Sequence, residues 1–405
     1  MKVSLRSLNI QGTGYMVWLG VLMLLVALGL GAVWRMEHYG HVVTGMTNQI
    51  VWGLPHVFAV FLVVAASGAL NVASMASVFG KTEFKPLAPL SGLLALALLI
   101  GGLSVLMLDL GRPERLIVAM THFNFKSIFT WNIFLYTGFM ALVALYLWTL
   151  MERRMNSFTP AAGMVAFIWR MALTTGTGSI FGFLVARQAY DSALLAPLFI
   201  ALSLSYGFAV FGLTLTWISR ASAQALQDVL IAKLARLQVI FIAATLYFLL
   251  VYHLTNLYFA KHQAFELFLL VEGGIYTGMF WLGQVLFGGI APMVLLMHPR
   301  IGQLRARFAL SAGLVVLGGF FQMYVTIIGG QAFPIVLFPG REVSSSFYDG
   351  VVHSYAPTWP EWMLGFAGLA ITALIVTLAL RVLCFLPARF DQIGVQVEDS
   401  VALRA

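Results

Sequence analysis

About ten apolar runs, each long enough to cross a bilayer, leave this chain little freedom in what it can fold into. A spanning helix needs about 20 mainly apolar residues, and within hydrocarbon its backbone N–H and C=O groups must be satisfied inside the segment. The runs fall roughly at 15–34, 53–79, 87–109, 128–150, 162–186, 193–217, 237–258, 267–297, 308–330 and 362–386. They take up most of the 405 residues, of which only 9% are charged; a soluble domain carries roughly 25%. The expectation is one all-α polytopic membrane domain over residues 1–405, with sequence neighbours packed as antiparallel neighbours. A single long loop, 331–361, interrupts the pattern.

The first run is longer than the apolar core of a signal peptide and lacks a small-x-small cleavage site before Trp34, so it reads as a retained anchor. Of the 23 lysines and arginines, fifteen fall on the N-terminal side, seven on the other, and Arg170 lies within a run. The positive-inside rule then places both termini in the cytoplasm and turns the segment after the third run toward the periplasm of a bacterial inner membrane. The net charge of +8 follows from this bias; no basic run with interleaved aromatics points to nucleic acid. The lone Cys384 excludes an intrachain disulfide, a four-cysteine iron–sulfur cluster and a CxxCH haem attachment. Metal centres of any redox reaction would therefore belong to partner subunits.

Ionisable groups in or at the edge of hydrocarbon are costly and mark function or pairing. Asp109 closes the third run, with Gly111 and Pro113 stopping the helix and Arg112 and Arg115 just beyond. It either takes part in proton chemistry or pairs with Arg112. His56 opens the second run, as a proton acceptor near neutral pH or as an interfacial histidine bonded to a carbonyl. Ser67 falls about 20° from His56 around the helix, Asn71 about 60°, and Ser74 in line. This polar stripe is a proton route or ordinary interhelical hydrogen bonding. Glu272, one to two turns inside the eighth run, reads as a buried carboxylate poised for proton transfer, or as a packing glutamate paired to an arginine. Tyr276 follows one turn on, and Tyr136 and His253 could join the same site. Arg170, with Thr174 and Thr177 along its face, is either a snorkelling side chain or a gate for protons or an anion.

The loop 331–361 carries turn signals and six aromatics (Phe333, Phe338, Phe347, Tyr348, Tyr355, Trp359), an expected partner-covered surface. Thr358-Trp-Pro-Glu361 fits a capping box opening the last helix.

Leu-Asp-Leu-Gly-Arg-Pro-Glu-Arg at 108–115 resembles the signature of the NrfD/PsrC family, quinone-reactive membrane subunits of polysulfide reductase-type complexes. Trp52-Gly-Leu-Pro-His56, Glu272 and Tyr355-Ala-Pro-Thr-Trp-Pro-Glu361 are similar to it too. Within the family, Thr177–Arg187 and Asp191–Phe199 most resemble DsrP-type subunits of sulfite-reductase-associated DsrMKJOP complexes, with hydrogenase-2 HybB-type subunits next. The resemblance implies two four-helix bundles with flanking helices and no haem or iron–sulfur cluster in this chain. It also implies a periplasm-facing pocket for menaquinone or ubiquinone and a ferredoxin-like iron–sulfur subunit on that face. For the DsrP type it adds a multihaem cytochrome c, a membrane cytochrome b and a cytoplasmic iron–sulfur subunit.

The expectation is thus a quinone-binding subunit exchanging electrons between membrane quinone and periplasmic partners in sulfur respiration, with proton translocation as a further option. Glu272, His56 and Asp109 would handle protons, and His56, Arg112, Tyr136, His253 and Tyr276 would surround the quinone. Ser67, Asn71, Ser74, Arg170, Thr174 and Thr177 would continue the proton path. The alternatives are a membrane subunit of a periplasmic hydrogenase or molybdopterin oxidoreductase, or a secondary transporter, which would show broken helices in matching positions of two halves. A b-type cytochrome would need paired histidines deep in the bundle.

Overall fold

The computed structural model describes residues 5–8, 12–298, 303–335, 351–388 and 390. Ten long helices run through it: α1 (Thr13–Tyr39), α2 (Leu54–Ser77), α3 (Ala88–Leu108), α4 (Ile128–Met151), α5 (Thr159–Gly182), α6 (Leu195–Ala221), α7 (Asp228–Tyr258), α8 (Ile275–Met297), α9 (Leu304–Ala332) and α10 (Trp359–Val382). Among the described residues nine helices are long and apolar enough to cross a membrane. The tenth, α5, has the length, with 24 residues, but carries Arg170 and a threonine- and glycine-rich second half that lower its hydropathy. The fold is all-α and polytopic, as the apolar runs require.

Helices α2 to α5 close one four-helix ring, α2 packing on α3, α3 on α4, α4 on α5, and α5 returning to α2. Helices α6 to α9 close a second in the same way, and α1 and α10 pair with each other along the flank of α2 and α3. Helix α2 is the common wall, with 94% of its apolar stretch buried. Where it crosses α6 the backbones touch. A β-carbon on Gly68 would lie 1.6 Å from the Ser203 carbonyl oxygen, and one on Gly207 2.2 Å from the Ala69 nitrogen. Lipid offers little hydrophobic drive between helices, so such small-residue contacts, rich in dispersion and carbonyl interactions, hold bundles together. A two-residue antiparallel pair, β1 (Leu5–Arg6) with β2 (Leu386–Pro387), ties the segments flanking α1 and α10 together at one face.

The second bundle departs from ideal helix geometry. Its π-helical stretches, Phe268–Glu272, Met279–Ile290 and Val325–Gly329, lie before α8, in α8 and in α9. Such wide turns displace side chains from the regular ladder and recur at functional sites. The eighth apolar run is also not one helix. It breaks at Gly273-Gly274, where Gly274 adopts φ +56°, a left-handed conformation that suits glycine. The spanning helix starts only at Ile275, and 263–272 forms a separate short helix before it.

The long loop is partly built into the body. Gln331 and Ala332 complete α9, and the His353 N–H bonds back to the Ala332 carbonyl. Tyr355 is buried rather than displayed to a partner. Trp359, in the first turn of α10, is half exposed, with Arg35 over its ring. Phe338, Arg341, Phe347 and Tyr348 lie outside the described residues.

Candidate functional site

Two histidine–carboxylate pairs organise the polar interior, one in each bundle. In the first, Gly53 precedes α2 and Pro55 sits in its opening turn, which puts His56 at the helix start. Asp109 ends α3. The antiparallel packing of α2 on α3 brings the two together, with His56 Nδ1 2.8 Å from Asp109 Oδ2. The approach is out of line for a hydrogen bond, and Nδ1 and both Asp109 oxygens are buried without a hydrogen-bonding partner among the described residues. The Asp109 side chain is 1% exposed and that of His56 19%. The histidine therefore opens outward while the carboxylate stays behind it. Trp52 stacks on the imidazole at 6.0 Å between ring centres and meets Phe181 and Phe129 edge-on.

Arg112 does not share this pair. It is exposed, and among the described residues no ion pair joins it to Asp109. Asp109, fixed by the α3 backbone, faces α2, whereas Gly111 and Pro113 turn the chain away.

Deeper in the same bundle the stripe on α2 meets α5. Ser67 Oγ lies 2.6 Å from Thr174 Oγ1 and bonds to the Arg170 carbonyl. The Arg170 guanidinium donates through one terminal nitrogen to the Ser67 carbonyl at 3.0 Å and to Asn71 Oδ1 at 2.6 Å, and stands over Phe167. Arg170 is 2% exposed and forms no ion pair among the described residues. A snorkelling arginine would reach the membrane surface; this one is enclosed. Ser74 bonds its hydroxyl back to the Leu70 carbonyl one turn earlier on its own helix. Thr177 bonds to its own helix at Leu173 and also faces the Tyr136 hydroxyl of α4.

In the second bundle His253 Nδ1 lies 2.7 Å from Glu266 Oε2, and Asn256 Nδ2 donates to Glu266 Oε1 at 2.9 Å. Glu266 is completely buried. In the sequence it lies just outside the eighth apolar run, 267–297, and shows no feature of its own. The signal was His253 and Asn256, one turn apart on one face of α7, which together need an acceptor.

Glu272 is the main correction. The helix break at Gly273-Gly274 ends its segment before the span, and the residue is exposed instead of buried in the bundle. Tyr276 is buried in the first turn of α8, against Phe268 and Tyr324. The expected single cluster thus separates: His56, Asp109 and Tyr136 belong to the first bundle, His253 and Tyr276 to the second, and Glu272 to an outer surface.

A third buried carboxylate braces the end of α2. Glu361 accepts from the N–H groups of Gly45 and Thr358, each at 2.8 Å, and from the Tyr355 hydroxyl. Tyr355 in turn accepts the Leu54 N–H at 2.7 Å. Burial, and next the Glu361 charge, push the Tyr355 phenol well above its ordinary value, keeping it a donor. Among the described residues no group of three histidine, cysteine, aspartate or glutamate side chains is placed to hold a metal ion.

Residues 42–335, which carry both histidine–carboxylate pairs and the α2–α5 polar network, match the family model described as polysulphide reductase, NrfD. The chain belongs to the NrfD family. Relatives match over nearly the full length. The integral membrane subunit of an Hdr-like menaquinol oxidoreductase from Archaeoglobus fulgidus is 28% identical, over 96% of this chain and 98% of its own. A Halobacterium salinarum protein, provisionally named as a membrane subunit of dimethyl sulfoxide reductase, is 29% identical over 94% and 93%. The integral membrane subunit of a menaquinone reductase from Nitratidesulfovibrio vulgaris is 23% identical over 92% of each chain. This NrfD-family chain is accordingly a multi-pass membrane protein, similar throughout to subunits of oxidoreductase complexes.

Proposed function

We propose that this chain is the quinone-reactive subunit of a membrane oxidoreductase complex, with the headgroup site at His56 and Asp109. The observation that carries the reading is the unspent hydrogen-bonding capacity of that pair. A buried carboxylate and the imidazole nitrogen facing it, both without an aligned partner, would be costly unless a ligand or water completes them. The pair sits at a bundle end beneath aromatic rings, which fits a flat polar headgroup with an apolar tail.

A bound quinone would supply two-electron, two-proton redox chemistry. His56 would hold a hydrogen bond to one headgroup oxygen and exchange its proton. Asp109, 2.8 Å behind the imidazole, would orient it once the ligand or water completes the pair, so the two together can pass a proton to the ligand. Trp52 limits water access from one side. Tyr136 with Thr177, and separately Ser67, Thr174, Asn71 and Arg170, form two hydrogen-bonded groups in the first bundle, and water between them would continue the proton route inward. Arg112, on the adjoining surface, would offer positive charge to an approaching subunit, and Glu272 would meet a partner or the lipid headgroups.

The relatives named for menaquinol and menaquinone support menaquinone over ubiquinone. The Thr177–Arg187 and Asp191–Phe199 resemblance supports a DsrMKJOP-type complex of sulfur respiration, with a ferredoxin-like iron–sulfur subunit, a multihaem cytochrome c, a membrane cytochrome b and a cytoplasmic iron–sulfur subunit. The lysine and arginine count supports the inner membrane, cytoplasmic termini and His56 toward the periplasm. A photoactivatable menaquinone analogue tests the site in the purified complex: labelling should fall on peptides spanning 52–58 and 105–112 and be displaced by menaquinone. Labelling confined to α6–α9 would remove the site from His56.

A further inference from the structure

The second bundle contains a small cavity, apolar but for a few polar side chains, that the His56–Asp109 site does not use. It lies where α6, α7, α8 and α9 converge, beside the short helix 263–272. Tyr252, His253, Gln284, Gln322 and Thr326 face it from an otherwise apolar wall. Gln284 is 5% exposed and, among the described residues, neither polar atom of its side chain has a partner. Gln322, equally buried, donates to Thr326 Oγ1 at 3.0 Å and leaves its carbonyl oxygen without a partner among the described residues. Gln284 lies within one π-helical stretch and Thr326 within another, so the irregular turns lend their polar side chains to the cavity.

An amide left unpaired in an apolar interior is costly relative to one in water. Three orphaned atoms aimed into one space therefore call for an occupant that both donates and accepts. An acyl chain can do neither. The space suits one or two water molecules and is too small for a quinone ring. His253 lines the same space, and because its Nδ1 is committed to Glu266, Nε2 is the nitrogen left to exchange a proton.

We propose that this cavity is a hydrated proton-holding site, in which water bound by Gln284, Gln322 and Thr326 exchanges protons with the His253–Glu266 pair. A proton arriving on His253 Nε2 is matched by transfer of the Nδ1 proton to Glu266, so the pair takes up one proton and no electron moves. The surrounding groups favour this. Tyr252 and, behind it, Tyr190 are the titratable neighbours from α7 and the α5–α6 connection, and His262 stands one turn before Glu266. Helices α8 and α9 bring amides and a hydroxyl to the cavity but no charge. Among the described residues neither lysine nor arginine forms an ion pair with Glu266. The site stands apart from the quinone reading and needs no quinone to be observed.

The test is infrared difference spectroscopy of the full-length chain in lipid nanodiscs, stepped in pH without quinone. A protonated-carboxyl band should appear on acidification, shift in deuterated water and vanish in Glu266→Gln. Removing the water's partners with Gln284→Met and Gln322→Leu should move the midpoint of that band at least tenfold in proton concentration. Gln284→Met alone, nearly isosteric, covers the case in which the double variant fails to fold. An unchanged midpoint in a folded variant, or a midpoint set by sodium rather than by pH, would overturn the proposal.

Discussion

Replacing Tyr355 by phenylalanine removes the hydroxyl that bonds the buried Glu361 carboxylate to the start of α2. That oxygen accepts the Leu54 N–H at 2.7 Å and donates to Glu361, which is fully buried. Without it, a backbone N–H at the start of α2 loses its acceptor, and the carboxylate loses a charge-assisted bond. An unsatisfied buried donor costs about 1–3 kcal/mol and a hydrogen bond to a charged group contributes about 1.5–3 kcal/mol. Water can enter from the bundle end and recover part of this, so the expected loss is about 3 kcal/mol. Glu361→Gln keeps the shape but sets an amide against N–H donors, and should cost a similar amount. Because the two residues form one unit, the double variant should be less destabilised than the sum, with a coupling of about 1–2 kcal/mol. Reversible unfolding by sodium dodecyl sulfate in mixed micelles measures all four proteins. A Tyr355→Phe loss below about 0.5 kcal/mol, or strict additivity with Glu361→Gln, would refute the idea that this clamp sets the start of α2.

Three further outcomes follow from the same geometry. Arg170→Met should leave Asn71 Oδ1 and the Ser67 carbonyl short of a donor, destabilising the first bundle by about 2–4 kcal/mol; Arg170→Lys should recover only part, because one ammonium cannot reproduce the guanidinium's reach and stacking. Glu272→Gln should leave stability within about 0.5 kcal/mol, as expected for an exposed side chain, and any effect should show as weaker partner retention on purification. Reporter fusions after Arg154 and Arg236 should read cytoplasm and one after Lys126 periplasm; the reverse pattern would invert every face assignment proposed above.

The helices were legible because hydrocarbon demands long, uninterrupted apolar runs, and the two-bundle arrangement came with the family resemblance. His56 and Asp109 were legible as titratable groups at the ends of apolar runs, which antiparallel packing of α2 and α3 then joins. Glu272 misled because a hydropathy reading passes smoothly over Val-Glu-Gly-Gly, whereas the left-handed turn at Gly274 cuts the helix there. Glu266 stayed hidden for the converse reason. It lies outside the apolar run, and only the fold-back of 263–272 onto α7 buries it against His253 and Asn256. Gln284 and Gln322 gave no warning, since a single amide in an apolar run shows neither its partners nor their absence.

The most direct test of the quinone assignment is menaquinol-dependent electron transfer in the purified complex carrying Asp109→Asn, His56→Gln or both, with subunit stoichiometry checked in each. Loss of a positioned acid–base group typically lowers rate by about 10²–10⁴-fold. The account predicts a fall of at least about 100-fold for each single variant in a fully assembled complex, and little further loss in the double variant because the pair acts as one unit. Wild-type turnover in the assembled double variant would contradict it.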